Sequence, residues 1–331
     1  MPFSRQVGLA IETLLASAFL VTFVAAEEIQ LHMATVNANS QPAILMTTFA
    51  EIASNNVENV QIEVYTDGID TLDTMSLARG VLEMSMVSPV THDLMTVAGA
   101  MYASETVAVE LSKAVQLIMW FPRGTVHFAV RAESSIQTLD DITGSTVYLG
   151  PHIQSAAYYD AQSWIAATTG LIAGQDYEAV ADTWDVGAEA FLSGGIDVFV
   201  SACLDPCPQL EALSKETDLR SIGPANAKNE QVEQFFEAGR SQASVLSELR
   251  EGIRSGPTIA SFQTVAGIAV YDATDEQIVY DITKAFWDNR DQLPRELPWI
   301  AQMDIDSAAH ARGLIQCHPG AARYYKEVGE P

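Results

Sequence analysis

The sequence predicts an α/β protein in which strands and helices alternate and the sheet is mainly parallel. Runs of β-branched and apolar residues recur along the chain, and helical patterns separate most of them. The chain has 331 residues, of which 48% are hydrophobic and 18% are charged. This length is enough for two compact domains with cores of their own, and the composition is typical of a soluble globular protein.

Seven segments have the composition and length of β-strands. They are residues 29–35, 61–66, 82–87, 126–132, 146–150, 196–202 and 267–271. The clearest helix is predicted to begin at Thr274, where the letters TDEQ place Gln277 three residues after a capping threonine. Apolar residues then recur on one helical face, at positions 278, 279, 282, 285 and 286.

Polar segments follow four of the predicted strands. They are residues 35–41, 88–92 and 150–154, and the loop after Ala202. In an open α/β sheet the loops beyond the carboxyl ends of the strands face the ligand crevice. We therefore expect the binding site at these loops, with His92 and His152 as the histidines best placed to contact a ligand.

Three aspartates lie three residues apart in TDGIDTLDT, at Asp67, Asp70 and Asp73. The first interpretation is structural: Asp70 caps a helix, and Asp73 adds negative charge near the positive end of that helix. The alternative is functional, with these carboxylates forming a negative lip on the crevice. The spacing excludes an EF-hand calcium loop, in which ligands alternate every second residue.

The N-terminus has the pattern of an export signal, and we expect residues 1–26 to be removed. Arg5 is followed by an apolar run, and Val24, Ala25 and Ala26 provide the small residues of a cleavage site. The run is shorter than the roughly 20 residues that a membrane span requires. The alternative is an uncleaved anchor helix. Cleavage implies a periplasmic protein.

Charge and motifs exclude several functions. The net charge of -26 repels nucleic acid, so no nucleic-acid partner is expected. The sequence has no nucleophile elbow, no phosphate loop, no dinucleotide fingerprint and no zinc motif, so we expect no enzyme, no cofactor and no metal. Cys203 and Cys207 have three residues between them, and a disulfide or two buried thiols are both open.

Four segments resemble a family of transport proteins. They read HPGAARYYKEVG at 318–329, YDITKAFWDN at 280–289, IQTLDDITGSTVYLG at 136–150 and GGIDVFVSACLDPCPQLEAL at 194–213. In these segments the chain resembles the TAXI family, the TRAP-associated extracytoplasmic immunogenic proteins. These proteins are solute-binding subunits of TRAP transporters. The segments occur in the same order and at similar spacing as in the family, and the resemblance extends over nearly all of the chain after residue 26.

The resemblance implies a type II periplasmic binding protein fold, with two lobes and a ligand cleft between them. Residues 27–122 and 264–331 are expected to form the first lobe, and residues 123–263 the second. The family's function implies a monomer that captures a small molecule, closes around it, and delivers it to the membrane subunits of a TRAP transporter.

The crevice loops depart from the family's pattern, so its usual small carboxylate ligands are not carried over. Polar residues stand where the family has glycines, tyrosines or other polar groups. The candidate ligand-binding residues are Thr35, Asn37, Asn39, Ser40, Asp70, Asp73, Ser88, His152, Gln154 and Ser155. No lysine or arginine falls in these loops. We therefore expect an amino acid or an amine in preference to a simple dicarboxylate, with an organic acid left open.

Two other functions are weighed against transport. A binding protein of this kind also feeds sensors or regulators, and a neighbouring gene for a permease or a histidine kinase would distinguish the two roles. The second is an exported enzyme on the same fold, which turnover of a bound metabolite would reveal.

Overall fold

The computed structural model describes residues 28–204, 207–237, 241–246, 253–255, 259–293, 298–301, 303–310 and 315–329. The predicted export signal at residues 1–26 lies outside the described residues. Within these ranges, no helix has both the length and the apolar character needed to cross a membrane.

Eleven strands in the described ranges join in one sheet. They are β1 Ile29–Ala34, β2 Val60–Tyr65, β3 Met84–Val87, β4 Val115–Arg131, β5 Thr146–Gly150, β6 Glu178–Ala181, β7 Val198–Cys203, β8 Leu219–Ile222, β9 Ser241–Leu246, β10 Ile253–Ser255 and β11 Ile259–Tyr271. Their main order is β2-β1-β3-β11-β4-β7-β5-β6, with β8 also paired to β4 and β10, and β9 to β11. Every predicted strand has a counterpart here.

The expectation of a mainly parallel sheet is wrong, because the sheet is mixed. Strands β1, β2 and β3 pair in parallel, as do β5, β6 and β7. Between these two groups, β4 and β11 pair antiparallel with each other and with the strands beside them. The two strands connect the groups in opposite directions along the chain, so their pairing has to be antiparallel.

The two connecting strands are longer than the sequence predicts. β4 has 17 residues and β11 has 13. Pro122 and Gly124 interrupt the strand pattern in the middle of β4, because proline lacks the N–H of a ladder bond and glycine weakens a strand. The structure accommodates them with irregular pairing, including a register shift between Thr264 and Val265 of β11.

Twelve α-helices lie in the described ranges. They are α1 Gln41–Asn56, α2 Asp70–Ala78, α3 Pro89–Thr96, α4 Ala108–Leu111, α5 Ala156–Thr169, α6 Trp184–Leu192, α7 Pro208–Ser214, α8 Glu230–Glu237, α9 Glu276–Asp288, α10 Pro298–Ala301, α11 Ile305–His310 and α12 Pro319–Glu327.

Helix α9 is capped one residue later than predicted. Asp275, rather than Thr274, accepts hydrogen bonds at Oδ1 from the N–H groups of Gln277 (2.8 Å) and Ile278 (3.1 Å). A carboxylate at the positive end of a helix forms charge-assisted hydrogen bonds, which are stronger than those of a hydroxyl.

The apolar core divides at the two connecting strands. Two clusters of buried side chains contain residues up to Phe121 and from Ala266 onward. Two others contain residues from Val126 to Phe262. We call these groups the first half and the second half. Between the two halves along the chain lie residues 122–125 and 263–265, where the sequence places the lobe boundaries. That the halves move as separate lobes remains a prediction.

The end of the chain returns to the first half. Helix α12 packs against α9 so closely that a Cβ at Gly320 would lie 2.3 Å from the carbonyl oxygen of Glu276, which explains the glycine in HPG. The hydroxyl of Tyr325 donates to the carbonyl of Ile118 on β4 (2.8 Å). The C-terminal segment therefore supports the same strand that continues into the second half.

Candidate functional site

A cavity of about 260 Å³ lies where the two halves meet. The first half contributes residues from two loops, at 36–42 and 67–70, and the second half contributes residues 151–157, 183–184, 202–203 and 209. Arg123 of β4 lines the cavity from the connecting strand between them. The cavity is thus bounded by both halves, at the ends of β1, β2, β5, β6 and β7.

The first-half wall begins with a bonded pair. The side-chain amide of Asn37 donates to Oδ1 of Asp67 (3.0 Å), and its oxygen accepts from the N–H of Asn39 (3.0 Å). Ser40 caps α1, with its hydroxyl accepting from the N–H of Ala43 (3.4 Å). Asp67 has φ of 64°, a conformation that aspartate tolerates better than most residues. The bond between Asn37 and Asp67 joins the two loops of the first half, whereas the other two bonds order the first loop itself.

Asp70 lies in the first turn of α2 and contacts the second half. Its Oδ1 accepts from the N–H of Ala156 at the start of α5 (3.2 Å). Its Oδ2 is buried and has no hydrogen-bond partner among the described residues. Burial raises the pKa of the Asp70 carboxyl above its usual range, and the positive charge of Arg123 and the N–H of Ala156 partly offset this increase.

The expectation that Asp70 caps its own helix is wrong. The N-cap of α2 is Ile69, and the Asp70 side chain instead lies at the N-terminus of α5. Asp73 is close to Gly68 and its Oδ2 is also buried without a partner in the described ranges. Burial, and then the nearby Asp70 carboxyl, raise the pKa of Asp73 to about 6.

Two further contacts join the halves beside the cavity. The hydroxyl of Thr71 donates to the carbonyl of Gln154 (2.7 Å). The side-chain oxygen of Gln41 accepts from the N–H of Leu204 (2.8 Å), and its amide donates to the carbonyl of the same residue (3.4 Å). With the Asp70 bond, these contacts hold the halves against each other around the cavity.

The second-half wall is formed by helix starts and an aromatic ring. Ser155 caps α5, accepting from the N–H of Tyr158 (3.3 Å) and donating to the carbonyl of His152 (2.8 Å). Thr183 is the N-cap of α6 but makes no capping bond with its side chain. Trp184, the first residue of α6, packs against Tyr148 and Phe199 and forms an apolar surface of the cavity.

Cys203 and Cys207 are joined by a disulfide, which decides between the two alternatives left open by the sequence. Cys203 lines the cavity at the end of β7. Strand β4 passes close to this residue at Gly124. A side chain there would collide with it, because a Cβ at Gly124 would lie 2.1 Å from the backbone carbon of Cys203. Gly124 also has φ of 105°, where side chains are strained. The connecting strand and the disulfide loop are therefore in close backbone contact.

The structure brings half of the sequence-predicted residues to the cavity. Those that line it are Asn37, Ser40, Asp70, His152 and Ser155. The others lie outside the lining and are Thr35, Asn39, Asp73, Ser88 and Gln154.

The predicted residues that do not line the cavity lie elsewhere or use their polar groups in other hydrogen bonds. Ser88 is buried and caps α3, accepting from the N–H of Thr91 (3.3 Å), so the whole predicted loop at 88–92 is absent from the lining. His92 in that loop contacts the carbonyl of Ser112 (3.2 Å). Thr35 is buried, Asn39 is exposed, and Gln154 contributes its backbone carbonyl to Thr71.

Sequence reasoning missed Arg123 together with Thr183, Trp184 and Gln209 of the lining. The strand-end rule points only to loops that follow strands, whereas Arg123 lies within β4. The letters FPRGT contained a usable signal: an arginine between a proline and a glycine, at the predicted crossing between lobes.

Comparisons with known proteins agree with this architecture. A model of the NMT1-like family matches residues 48–329. Among solved structures, the Xanthomonas citri protein XAC2383 bound to ATP is similar, with 13% identity, 90% of this chain and 99% of that chain covered, and a TM-score of 0.51.

Two solute-binding proteins from other organisms are also similar. The periplasmic aliphatic sulphonate binding protein SsuA from Escherichia coli has 13% identity over 91% of this chain and 79% of its own, with a TM-score of 0.45. A TRAP periplasmic solute-binding protein from Sulfitobacter sp. NAS-14.1 with bound β-D-galacturonate has 11% identity over 79% and 80%, with a TM-score of 0.45. The predicted α/β fold class is confirmed: the chain has a mixed α/β fold and shares it with XAC2383 over 90% of its length.

Proposed function

The chain belongs to the NMT1-like family, and we propose that it is an extracytoplasmic binding protein that captures a small solute for a membrane transporter. The observation that carries this proposal is the cavity of about 260 Å³, lined by both halves and by the strand that connects them. Such a cavity suits a ligand of metabolite size, and enclosure between two halves excludes water and strengthens polar contacts. The halves act as lobes that close on the ligand and open to release it.

The transporter proposed is of the TRAP type, and the subfamily is TAXI. The support is the series of four TAXI-like segments, which includes the HPG turn and α12 at the C-terminus. The protein acts in the periplasm as a monomer after cleavage behind Ala26, and its partners are the membrane subunits. N-terminal sequencing of the secreted protein tests the cleavage, and a mature chain that still starts at Met1 contradicts it.

We propose that the ligand carries an anionic group that binds at Arg123. A guanidinium presents several N–H donors in a planar fork that matches carboxylate, sulfonate and phosphate oxygens. The N-terminus of α6 also lies at the cavity, but Asp185 in its first turn and Asp182, which accepts from the N–H of Thr183 (2.7 Å), already meet its positive end, so Arg123 alone supports the anion proposal. The sequence-based preference for a cationic or donor ligand remains as a second requirement, since Asp67 and Asp70 also line the cavity.

A ligand that combines an anion with hydrogen-bond donors, such as an amino acid, meets both requirements. A simple dicarboxylate meets only the first, because the exposed carboxylate of Asp67 accepts hydrogen bonds and repels a second anion.

The test is to identify what the protein holds and to measure closure. Mass spectrometry after gentle denaturation of the purified mature protein should find a small anionic or zwitterionic metabolite. The protein freed of this metabolite should become more compact when it is added back, as measured by small-angle scattering. A ligand consumed at catalytic rates, or a shape unchanged by a ligand that binds, contradicts the proposal.

A further inference from the structure

A second, smaller cavity is also lined by Arg123. Its volume is about 10 Å³, and we call it the inner chamber. Arg123, Ala157, Trp184 and Ala202 line both the inner chamber and the main cavity. The two spaces therefore share a wall at the residue proposed to bind the anion.

The size of the inner chamber limits its occupant. About 10–15 Å³ of accessible space is needed to hold one water molecule, so a single non-hydrogen atom with its hydrogens fills the chamber. Most of its lining is apolar, and it includes Val126, Leu149 and Val200, which do not line the main cavity. A polar occupant therefore needs a specific partner there.

Thr264 provides that partner. It lines the inner chamber from β11, directly opposite Gly124 and next to the register shift of the strand. The residue is 3% exposed, and within the described part of the chain its hydroxyl has no hydrogen-bond partner. A buried hydroxyl without a partner is costly, and most such groups in native proteins bond to water, protein or ligand. The acidic side chain of Asp160 also lines the chamber.

We propose that the inner chamber is a one-atom specificity subsite, in which Thr264 binds a hydroxyl or amino substituent next to the anionic group of the ligand. The position next to the anion follows from the shared Arg123 wall. A hydroxyl both donates and accepts hydrogen bonds, so Thr264 accepts from an ammonium or exchanges a bond with a hydroxyl. A methyl group in the same place leaves Thr264 without a partner. The assignment of the anion to Arg123 rests on the proposed function.

The first experiment does not need a ligand. A high-resolution crystal structure of the ligand-free mature protein should show one ordered water in the inner chamber, bonded to Thr264 Oγ1. The same water should be absent in Thr264→Val, which keeps the shape and removes the hydroxyl. A chamber filled by a protein side chain, or a Thr264 hydroxyl bonded to protein, overturns the subsite.

The second experiment is calorimetry with four acids that differ in one substituent: propionate, isobutyrate, L-lactate and L-alanine. Wild type should bind lactate or alanine more tightly than propionate and isobutyrate. Thr264→Val should lose about fivefold to tenfold in affinity for the better ligand, and leave propionate unchanged. Thr264→Ser keeps the hydroxyl and should retain the preference. Equal losses for all four acids, or no loss, overturn the proposal.

Failure of the proposed anion site can be distinguished from failure of the Thr264 subsite. If none of the four acids binds wild type, the anion proposal fails for small acids, and the crystal structure alone decides the role of the chamber. The melting temperatures of both Thr264 variants should lie within a few degrees of the wild-type value. This control shows that the binding comparison is made on folded protein.

Discussion

On the first-half wall of the cavity, Asn37 bonds to Asp67 and Asp70 bonds across to Ala156. On the opposite side, Arg123 lines the cavity from the connecting strand, and its positive charge lowers the pKa of the Asp70 carboxyl against the effect of burial. The first wall therefore uses its polar groups to hold the protein together. From this difference we propose that the anion of a ligand binds on the Arg123 side and that the hydrogen bonds of the first wall control closure.

The largest effect is expected where the connecting strand meets the second-half wall. Gly124→Ala should lower the free energy of unfolding by about 3 kcal/mol, because the new methyl group meets the Cys203 backbone and φ is unfavourable. Gly144→Ala is the matched control, since Gly144 also has positive φ but has no atom within 4 Å of its Cβ position. It should cost about 1 kcal/mol. Denaturant unfolding of both variants measures the difference, and equal costs would show that the close contact is not rigid.

The next effect concerns the ligand rather than the fold. Arg123→Gln should weaken binding of the co-purified anionic ligand by about 10- to 100-fold, because charge-assisted hydrogen bonds contribute about 1.5–3 kcal/mol. Arg123→Lys keeps the charge and loses the planar fork, so its affinity should fall between those of wild type and Arg123→Gln. Calorimetry on ligand-free protein gives the values. An unchanged affinity in Arg123→Gln would place the anion elsewhere and remove the basis for distinguishing the two walls.

A pH-dependent effect is expected on the first-half wall. The pKa of Asp73 is raised to about 6 in the folded protein from its ordinary 3.8, so its charge disfavours folding at neutral pH. Relative to the charged form, protonated Asp73 stabilises the folded protein. This stabilisation is complete below the pKa of the unfolded state and is lost as the pH rises through the pKa of the folded state. Asp73→Asn should therefore raise the melting temperature near neutral pH.

The same substitution should give little gain at acid pH, below the unfolded pKa of Asp73. Melting curves of wild type and variant across this pH range give the comparison. Asp67→Asn is the control, because Asp67 bonds to Asn37 and Thr66 at the surface and is not buried. A gain that is constant over the whole pH range would contradict burial of the Asp73 charge.

The smallest effect is expected at a single contact between the halves. Thr71→Val removes the hydrogen bond to the Gln154 carbonyl, and a typical net contribution of about 1 kcal/mol corresponds to about fivefold in the closing equilibrium. The variant should bind ligand more weakly and have a larger radius of gyration without ligand. Thr47→Val, at a partly exposed position on α1, is the control. An unchanged radius would mean that this contact does not hold the halves together.

Much of the fold could be predicted from the sequence because local patterns carry it. Strands such as residues 146–150 are apolar runs between turn residues, and the structure has β5 over the same range. Half of the candidate residues reached the cavity, because loops after β1, β2 and β5 end on the same edge. Ser88 also follows a strand, but its hydroxyl caps α3 in the buried interior.

The sequence by itself determined the α/β class, the positions of most strands, and the resemblance of the C-terminal segment, since these depend on residues close together in the chain. Only the tertiary structure decided that β4 and β11 run through both halves, that Arg123 lies in the cavity, and that Asp70 bonds to a helix 86 residues away. Those facts depend on which distant backbone groups meet, and no local periodicity reports such pairings. The charge of the cavity is therefore a property of the assembled halves, whereas the loops alone are acidic and polar.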